Sequence, residues 1–318
     1  MTKDKKYTFN NVLIIINPAS GKNTPILNTI NDVFKEHKDI NWDIAVTKKF
    51  GDANAFTKNG LNNYDLIAVY GGDGTVHEVI NASIGSDTPI ALLPGGTGNG
   101  FLTGLGIPHD LRKALQIIFK RKIKEVDVAK ITRIAEQNKS DGKSKYASTN
   151  KIKELSGEFK YCISRMYTGI EENMQTSRQM KDKYGTFAYA INSFKQMKNV
   201  PVIDYTIEID GKIIKEKAAK VYIANSGSTG TYVSMGNFSV SDGLLDVYTV
   251  SKNIKSILST TKRMWNTNTS KETLHHWRGE KIKITSAKSQ PVWVDGEPYG
   301  RTPIEVEVLK GAVKVMVG

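Results

Sequence analysis

Cysteine is almost absent: Cys162 is the only one in 318 residues, which excludes an internal disulfide and any cysteine-based metal cluster. A lone thiol fits a reducing compartment, and its place inside the apolar run Tyr161 to Met166 reads as a small buried hydrophobe. Long apolar runs are missing too. No stretch approaches the roughly 18 consecutive apolar residues of a spanning helix, and the opening MTKDKKYTFN lacks the apolar region of a secretory signal, so the expectation is a cytoplasmic protein. Acidic residues are in deficit, with 32 Asp and Glu against 45 Lys and Arg, a formal net charge of +13. Such an excess favours polyanions: nucleic acid, an anionic membrane surface or a phosphate-bearing substrate. No helix-turn-helix, zinc-finger or RNP-type pattern occurs, so nucleic acid is not the expected partner and membrane surface plus nucleotide ranks first. A merely solubilising surface charge is the competing reading.

What is present is a two-part pattern, on a chain long enough for about two domains of roughly 150 residues and 39% hydrophobic. In the first third, the apolar runs Val12 to Ile16, Ile44 to Val46, Leu66 to Tyr70 and Ile90 to Leu93 read as strands. Helical stretches lie between them: Pro25 to His37, Asp52 to Asn59 and Val76 to Ala82. Strands that are apolar throughout belong to a parallel sheet covered on both faces, and such sheets bind ligands at the carboxyl ends of their strands. Beyond about residue 127 the segments alternate: Tyr205 to Ile209, Val221 to Ala224, Leu245 to Val250, Ile282 to Ile284 and Val292 to Val294. The turn pairs Asp210-Gly211, Asp242-Gly243 and Asp295-Gly296 punctuate them, predicting an antiparallel sheet or sandwich. Tyr184 to Lys198 has the spacing of an amphipathic helix, as core packing or the wall of a lipid pocket. The polar stretch Asn138 to Lys160 predicts a hairpin with a mobile tip.

The chemistry concentrates in two glycine clusters. Gly71-Gly72-Asp73-Gly74-Thr75 falls between a strand and a helix, where glycine allows close backbone approach to an anion and the helix N-terminus contributes about half a positive charge. Asp73 would repel a bare phosphate, which points to a divalent cation nearby. Without a ligand, the same segment is a glycine turn with Asp73 or Thr75 as N-cap. One strand–helix–strand step later comes Leu92-Leu93-Pro94-Gly95-Gly96-Thr97-Gly98-Asn99-Gly100-Phe101. Neither cluster fits the P-loop or the Rossmann fingerprint. No GxSxG, HExxH or paired-cysteine pattern competes for catalysis, and His77, His275 and His276 read as packing or surface residues.

Four ordered motifs, GGDGTVHEVINA (Gly71 to Ala82), PGGTGNGFLTGLGIP (Pro94 to Pro108), SDGLLDV (Ser241 to Val247) and VDGEPYG (Val294 to Gly300), resemble those of the diacylglycerol kinase catalytic family. That family includes soluble bacterial lipid kinases and the sphingosine and ceramide kinases. NPASG (Asn17 to Gly21) is similar to its first nucleotide loop and Thr302 to Val317 to its closing strands, so the resemblance spans nearly the whole chain. It implies an α/β N-terminal domain of the type shared with NAD kinases and phosphofructokinases, with a mainly antiparallel β-sandwich as second domain. The expected limits are 1–127 plus 304–318 for the ATP-binding domain and 128–303 for the lipid-substrate domain.

The implied activity is ATP-dependent phosphorylation of a hydroxyl on diacylglycerol or a related lipid in phospholipid metabolism, with ATP and Mg²⁺ required. ATP is implied at Asn17, Thr47, Gly71, Gly72, Asp73, Gly74, Thr75, Val76, Gly96 and Thr97. Ser239, Asp242 and Leu244 match a loop that binds a structural magnesium in some members, two of them through backbone carbonyls. Glu297 matches the proposed catalytic base, with Asp73 serving the metal. Two positions depart from the pattern: Gly100 replaces an acid found in many members, and Glu171 stands where Asp is usual. A membrane lipid and an anionic membrane surface are the implied partners, with transient membrane association and a homodimer left open. The rival readings are a kinase of a soluble metabolite such as NAD and a non-catalytic nucleotide- or membrane-binding regulator.

Overall fold

The computed structural model describes residues 7–20, 25–96, 98–134, 159–169, 201–225, 239–250 and 274–318. The chain divides into two compact units, one of residues 1–129, 225–243 and 308–318, the other of residues 130–224 and 244–307.

The first unit is built on a parallel sheet. Its strands β1 (Asn11–Ile16), β2 (Asn41–Val46), β3 (Leu66–Gly71) and β4 (Ile90–Pro94) run in the order β2-β1-β3-β4. The register sets Val12 beside Leu66 and Ile67 beside Ile90, so the four strand ends finish on one sheet edge. β3 is buried along its whole length, as expected of an apolar strand with partners on both sides, whereas β2 is the exposed border strand. Helices α1 (Ile26–Phe34), α2 (Asp52–Gly60) and α3 (Asp73–Ser83) occupy the expected connections. Helix α3 starts three residues before the predicted Val76, so Asp73, Gly74 and Thr75 are its first turn rather than a preceding loop. The short α4 (Gly100–Gly104) and α5 (Leu111–Ile118) follow; α5 is capped by Asp110, which accepts from Lys113 N at 2.8 Å, and it buries Ala114, Leu115, Ile117 and Ile118.

The second unit is antiparallel. Strands β7 (Arg165–Thr168), β10 (Lys220–Ala224), β11 (Leu245–Val250), β12 (Leu274–Gly279), β14 (Pro291–Val294) and β15 (Glu297–Arg301) form a sheet in the order β12-β11-β10-β7-β14-β15. A second set comprises β8 (Ile203–Ile209), β9 (Lys212–Ala218), β13 (Lys281–Ser286) and the first residues of β16 (Ile304–Val317), which pair with β13 from Ile304 to Glu307. Burial alternates residue by residue along β8, as the sequence pattern predicts. The two sets face each other where Thr168 Oγ donates to the buried Tyr205 hydroxyl at 3.1 Å. This is the expected sandwich.

Two of the three predicted turn pairs make hairpins. Asp210-Gly211 joins β8 to β9 and Asp295-Gly296 joins β14 to β15, each pair with positive φ at both residues. Asp242-Gly243 does not; it is a bend leading into β11. Cys162 is buried at the end of β6 (Phe159–Cys162), where burial and then the Asp295 carboxylate push its thiol well above the ordinary range. The predicted helix Tyr184 to Lys198 and Glu171 lie outside the described residues, as does most of the predicted hairpin Asn138 to Lys160, of which β6 includes only the end. Among the described residues no helix is long and apolar enough to cross a membrane.

The segment 225–243, expected in the second domain, groups with the first unit. The reason is Asp127, a buried carboxylate on β5 (Lys122–Arg133). Its Oδ2 accepts from Gly243 N at 2.7 Å and its Oδ1 from Gly311 N at 2.8 Å. Its backbone N–H donates to Val240 O at 2.7 Å and its carbonyl accepts from Asn225 Nδ2 at 2.6 Å. Buried carboxylate oxygens need hydrogen-bond donors, and here Gly243 at one end of the segment and Gly311 on β16 supply them, while Asn225 and Val240 bond the Asp127 backbone. Asp127→Ala strands two glycine amides, so urea unfolding should show a loss of about 2–4 kcal/mol. Asp39→Ala, which removes an exposed partner 3.9 Å from Arg121, should change stability by no more than about 0.5 kcal/mol.

Candidate active site

The two glycine clusters meet backbone to backbone at the carboxyl edge of the parallel sheet. Gly95 N donates to Gly71 O at 3.1 Å, and a Cβ placed on Gly95 would lie 2.8 Å from Gly71 N. A Cβ on Gly96 would lie 2.6 Å from Gly72 Cα. Neither approach is open to a residue with a side chain. Asn99, buried and in the left-handed region at φ 48°, holds the second loop against the first: its Oδ1 accepts from Gly96 N at 3.0 Å and its Nδ2 donates to Gly96 O at 2.7 Å.

Asp73 links the clusters. Helix α3 has Gly72 as its N-cap and no side-chain cap bond, so neither Asp73 nor Thr75 caps it. The Asp73 Oδ1 instead accepts from Gly100 N at 2.9 Å, in the position where many relatives are expected to carry an acid. Thr75 Oγ accepts from Asn17 Nδ2 at 2.8 Å, which ties the loop after β1 to the α3 N-terminus. Asn17 N donates to Tyr70 O at 2.9 Å, and Thr47, just past β2, donates its amide to Ile16 O at 2.9 Å. Asn17, Thr47, Gly71 to Val76 and Gly96 are therefore gathered on one edge; Thr97 lies outside the described residues. Gly74 is exposed, and the space a Cβ would take there is open. The first-turn amides of α3 have no intrahelical acceptors, and the space beside Gly74 is open to them.

The remaining predicted residues are found on other loops. Ser239 and Asp242 fall in the bend before β11, where Ser239 Oγ accepts from Ser241 N at 3.3 Å and Asp242 is exposed; Leu244 ends that bend. Glu297 opens β15 in the second unit, paired with Val294 and exposed. Asp295, two residues earlier, accepts from the amides of Ile163, Ser164 and Arg165 at 2.9–3.0 Å, which fixes the turn presenting Glu297. Among the described residues no group of three or more His, Cys, Asp or Glu is gathered to hold a metal ion. A hard oxygen set of one carboxylate plus carbonyls, hydroxyls or ligand phosphates still suits Mg²⁺, which rarely uses an all-protein cage.

Four supporting residues escape the motif reading. Asp127 anchors the 240–243 bend, and its signal is a carboxylate flanked by the apolar Val126, Val128 and Ala129. Glu78 on α3 accepts from Gly51 N at 3.0 Å and Asn54 N at 3.3 Å, a contact no local pattern marks. Asp246 lies within 2.6 Å of His276 and 3.2 Å of Arg278, and Glu216 within 3.0 Å of His275, so both histidines have acidic partners contributed by other strands of the second unit.

Known proteins carry the same framework. The sequence model of the diacylglycerol kinase catalytic domain matches residues 11–131, and that of the YegS C-terminal NAD kinase beta sandwich-like domain matches residues 164–317. A provisionally named lipid kinase of Staphylococcus aureus (strain JH9) is 27% identical over 270 residues, 82% of this chain and 79% of the relative. An uncharacterized Synechocystis protein is 28% identical over 329 residues, 95% of this chain and 69% of its own length. The crystal structure of a provisionally named diacylglycerol kinase from Bacillus anthracis is similar over 99% of both chains, with a TM-score of 0.79 and 25% identity. From the paired glycine loops on a parallel sheet, the antiparallel sandwich that follows, and matches to both halves, the chain belongs to the diacylglycerol kinase catalytic-domain family.

Proposed function

We propose that this chain transfers the γ-phosphate of ATP to a hydroxyl of diacylglycerol or a related membrane lipid at an anionic membrane surface. The observation that carries the reading is the joined pair of glycine loops, with Asp73 between them and open space beside Gly74 at the α3 N-terminus. Phosphoryl transfer asks a protein mainly to align nucleophile and phosphorus and to neutralise charge on the transferring oxygens. The amides of the first α3 turn and the Asn17–Thr75 pair serve the nucleotide phosphates. Asp73, and separately the Ser239 to Leu244 bend, would hold Mg²⁺, which supplies positive charge against the phosphate oxygens.

In the transfer itself, the lipid hydroxyl oxygen bonds to the γ-phosphorus as the bond from that phosphorus to the bridging oxygen breaks, and ADP leaves with the electron pair. The hydroxyl proton passes to Glu297. Its exposure on a turn fixed by Asp295 suits a carboxylate that must be ionised and accessible before it accepts a proton.

Incubation with ATP labelled at the γ-phosphate, across diacylglycerol, monoacylglycerol, phosphatidylglycerol and a sphingoid base in mixed micelles, tests the reading. Label should enter the organic phase with at least one lipid and not be incorporated into NAD. Label on NAD alone would instead make the chain a kinase of a soluble metabolite, and ATP binding without turnover on any acceptor would make it a regulator. Glu297→Gln keeps the shape of the side chain and removes its basicity, so kcat should fall by about 10²–10⁴ while the KM for ATP stays nearly unchanged. Activity within about threefold of the parent would return Glu297 to the role of a turn residue.

A further inference from the structure

Phe50 is 88% exposed, the highest value among the large apolar side chains described as exposed. It lies between β2 and α2, and because β1 to β4 are parallel, its loop leaves the sheet on the same edge as the two glycine loops. The loop is braced on both sides of Phe50. Asp52 Oδ2 accepts from Lys48 N at 2.8 Å and Lys49 N at 3.0 Å, and these contacts, the Lys48 amide foremost, hold its carboxyl below the usual range. Gly51 N and Asn54 N donate to Glu78 Oε2, and Asn54 Nδ2 donates to Glu78 O at 3.3 Å. Glu78 belongs to α3, whose first turn carries Asp73. The frame thus holds the backbone on both sides of an exposed aromatic residue and ties it to helix α3.

Charge favours one kind of partner. The two carboxylates that brace the loop, Asp52 and Glu78, accept from its amides, while Lys48 and Lys49 are exposed immediately before Phe50. Val46, at the end of the border strand β2, adds a second half-exposed apolar side chain four residues away. An exposed aromatic beside flexible ammonium groups is the chemistry of an interface between acyl chains and anionic headgroups.

We propose that the loop from Lys48 to Gly51 docks the protein on an anionic bilayer, with Phe50 entering the boundary below the headgroups and Lys48 and Lys49 meeting their phosphates. This rests on the lipid-kinase reading, which requires the nucleotide edge of the first unit to work at a membrane. It assigns the docking to residues outside the nucleotide and catalytic sets.

The test is co-sedimentation of the full chain, without nucleotide, with vesicles of phosphatidylcholine alone or mixed with phosphatidylglycerol. The parent should bind the mixed vesicles and lose binding at high salt, as screening shortens from about 10 Å at 0.1 M to about 3 Å at 1 M. Phe50→Ala should weaken binding about tenfold, and Phe50→Leu should restore most of it. The double variant Lys48→Glu, Lys49→Glu should lose binding only to vesicles containing phosphatidylglycerol. Unchanged vesicle binding by Phe50→Ala overturns the proposal. So does a parent that ignores vesicles, or a Phe50→Ala variant whose only defect is in ATP affinity or self-association by sedimentation velocity. Because binding is read without turnover, failure of the kinase reading leaves this result legible.

Discussion

The contact on which the rest of the site depends is the approach of two glycine pairs, Gly71 to Gly95 and Gly72 to Gly96. At these separations backbone meets backbone, so β3 and β4 must be adjacent, parallel and in a register that ends both at the same level. The continuous burial of β3 and β4 provides that alignment, because two strands covered on both faces have little freedom to slip. The remaining pieces then attach to the joined loops: Asn99 to Gly96, Asp73 to Gly100, Asn17 to Thr75. Under the proposed function, loops joined this way are preorganised before any nucleotide arrives, which is where their catalytic value would lie.

A second theme is the use of carboxylates as acceptors for loop amides. Asp127 holds Gly243 and Gly311, Asp295 holds residues 163–165, Asp210 holds Glu280 and Lys281, and Glu78 holds Gly51 and Asn54. Each fixes a turn or the start of an element by its backbone amides, and functional residues are often carried on segments of that kind. The net positive charge therefore understates the reach of the acids, several of which are committed to backbone N–H groups.

Much of this was legible in the sequence, and the part that was not has physical causes. The four parallel strands and both Asp-Gly hairpins stand in the apolar periodicity and turn chemistry, since both are local. The start of α3 was misplaced because glycine and aspartate discourage a helix interior yet are tolerated in its first turn, where Asp73 sits. α4 is too short for a periodic signal, whereas α5 has one at Leu111, Ala114, Leu115 and Ile118 and belonged among the expected helices; the lysine-rich border strand β9 lacks the apolar alternation of a half-buried strand. The Asp73–Gly100 contact and the anchoring by Asp127 join residues far apart in the chain, and no spacing rule encodes such pairs. The likeness of Asp242-Gly243 to the true hairpin turns misleads for the same reason, because its conformation is set by Asp127 and not by flanking strands.

The glycine contact offers the most direct measurement of the account. Gly96→Ala places a methyl group 2.6 Å from Gly72 Cα, in backbone that cannot move aside without separating the loops. Titration calorimetry with a non-hydrolysable ATP analogue should show affinity reduced by about tenfold or more, while circular dichroism retains the parent's mixed helix and strand content. Affinity for the analogue equal to the parent's would show that nucleotide binding does not depend on the joined loops, and would contradict the assignment of the site.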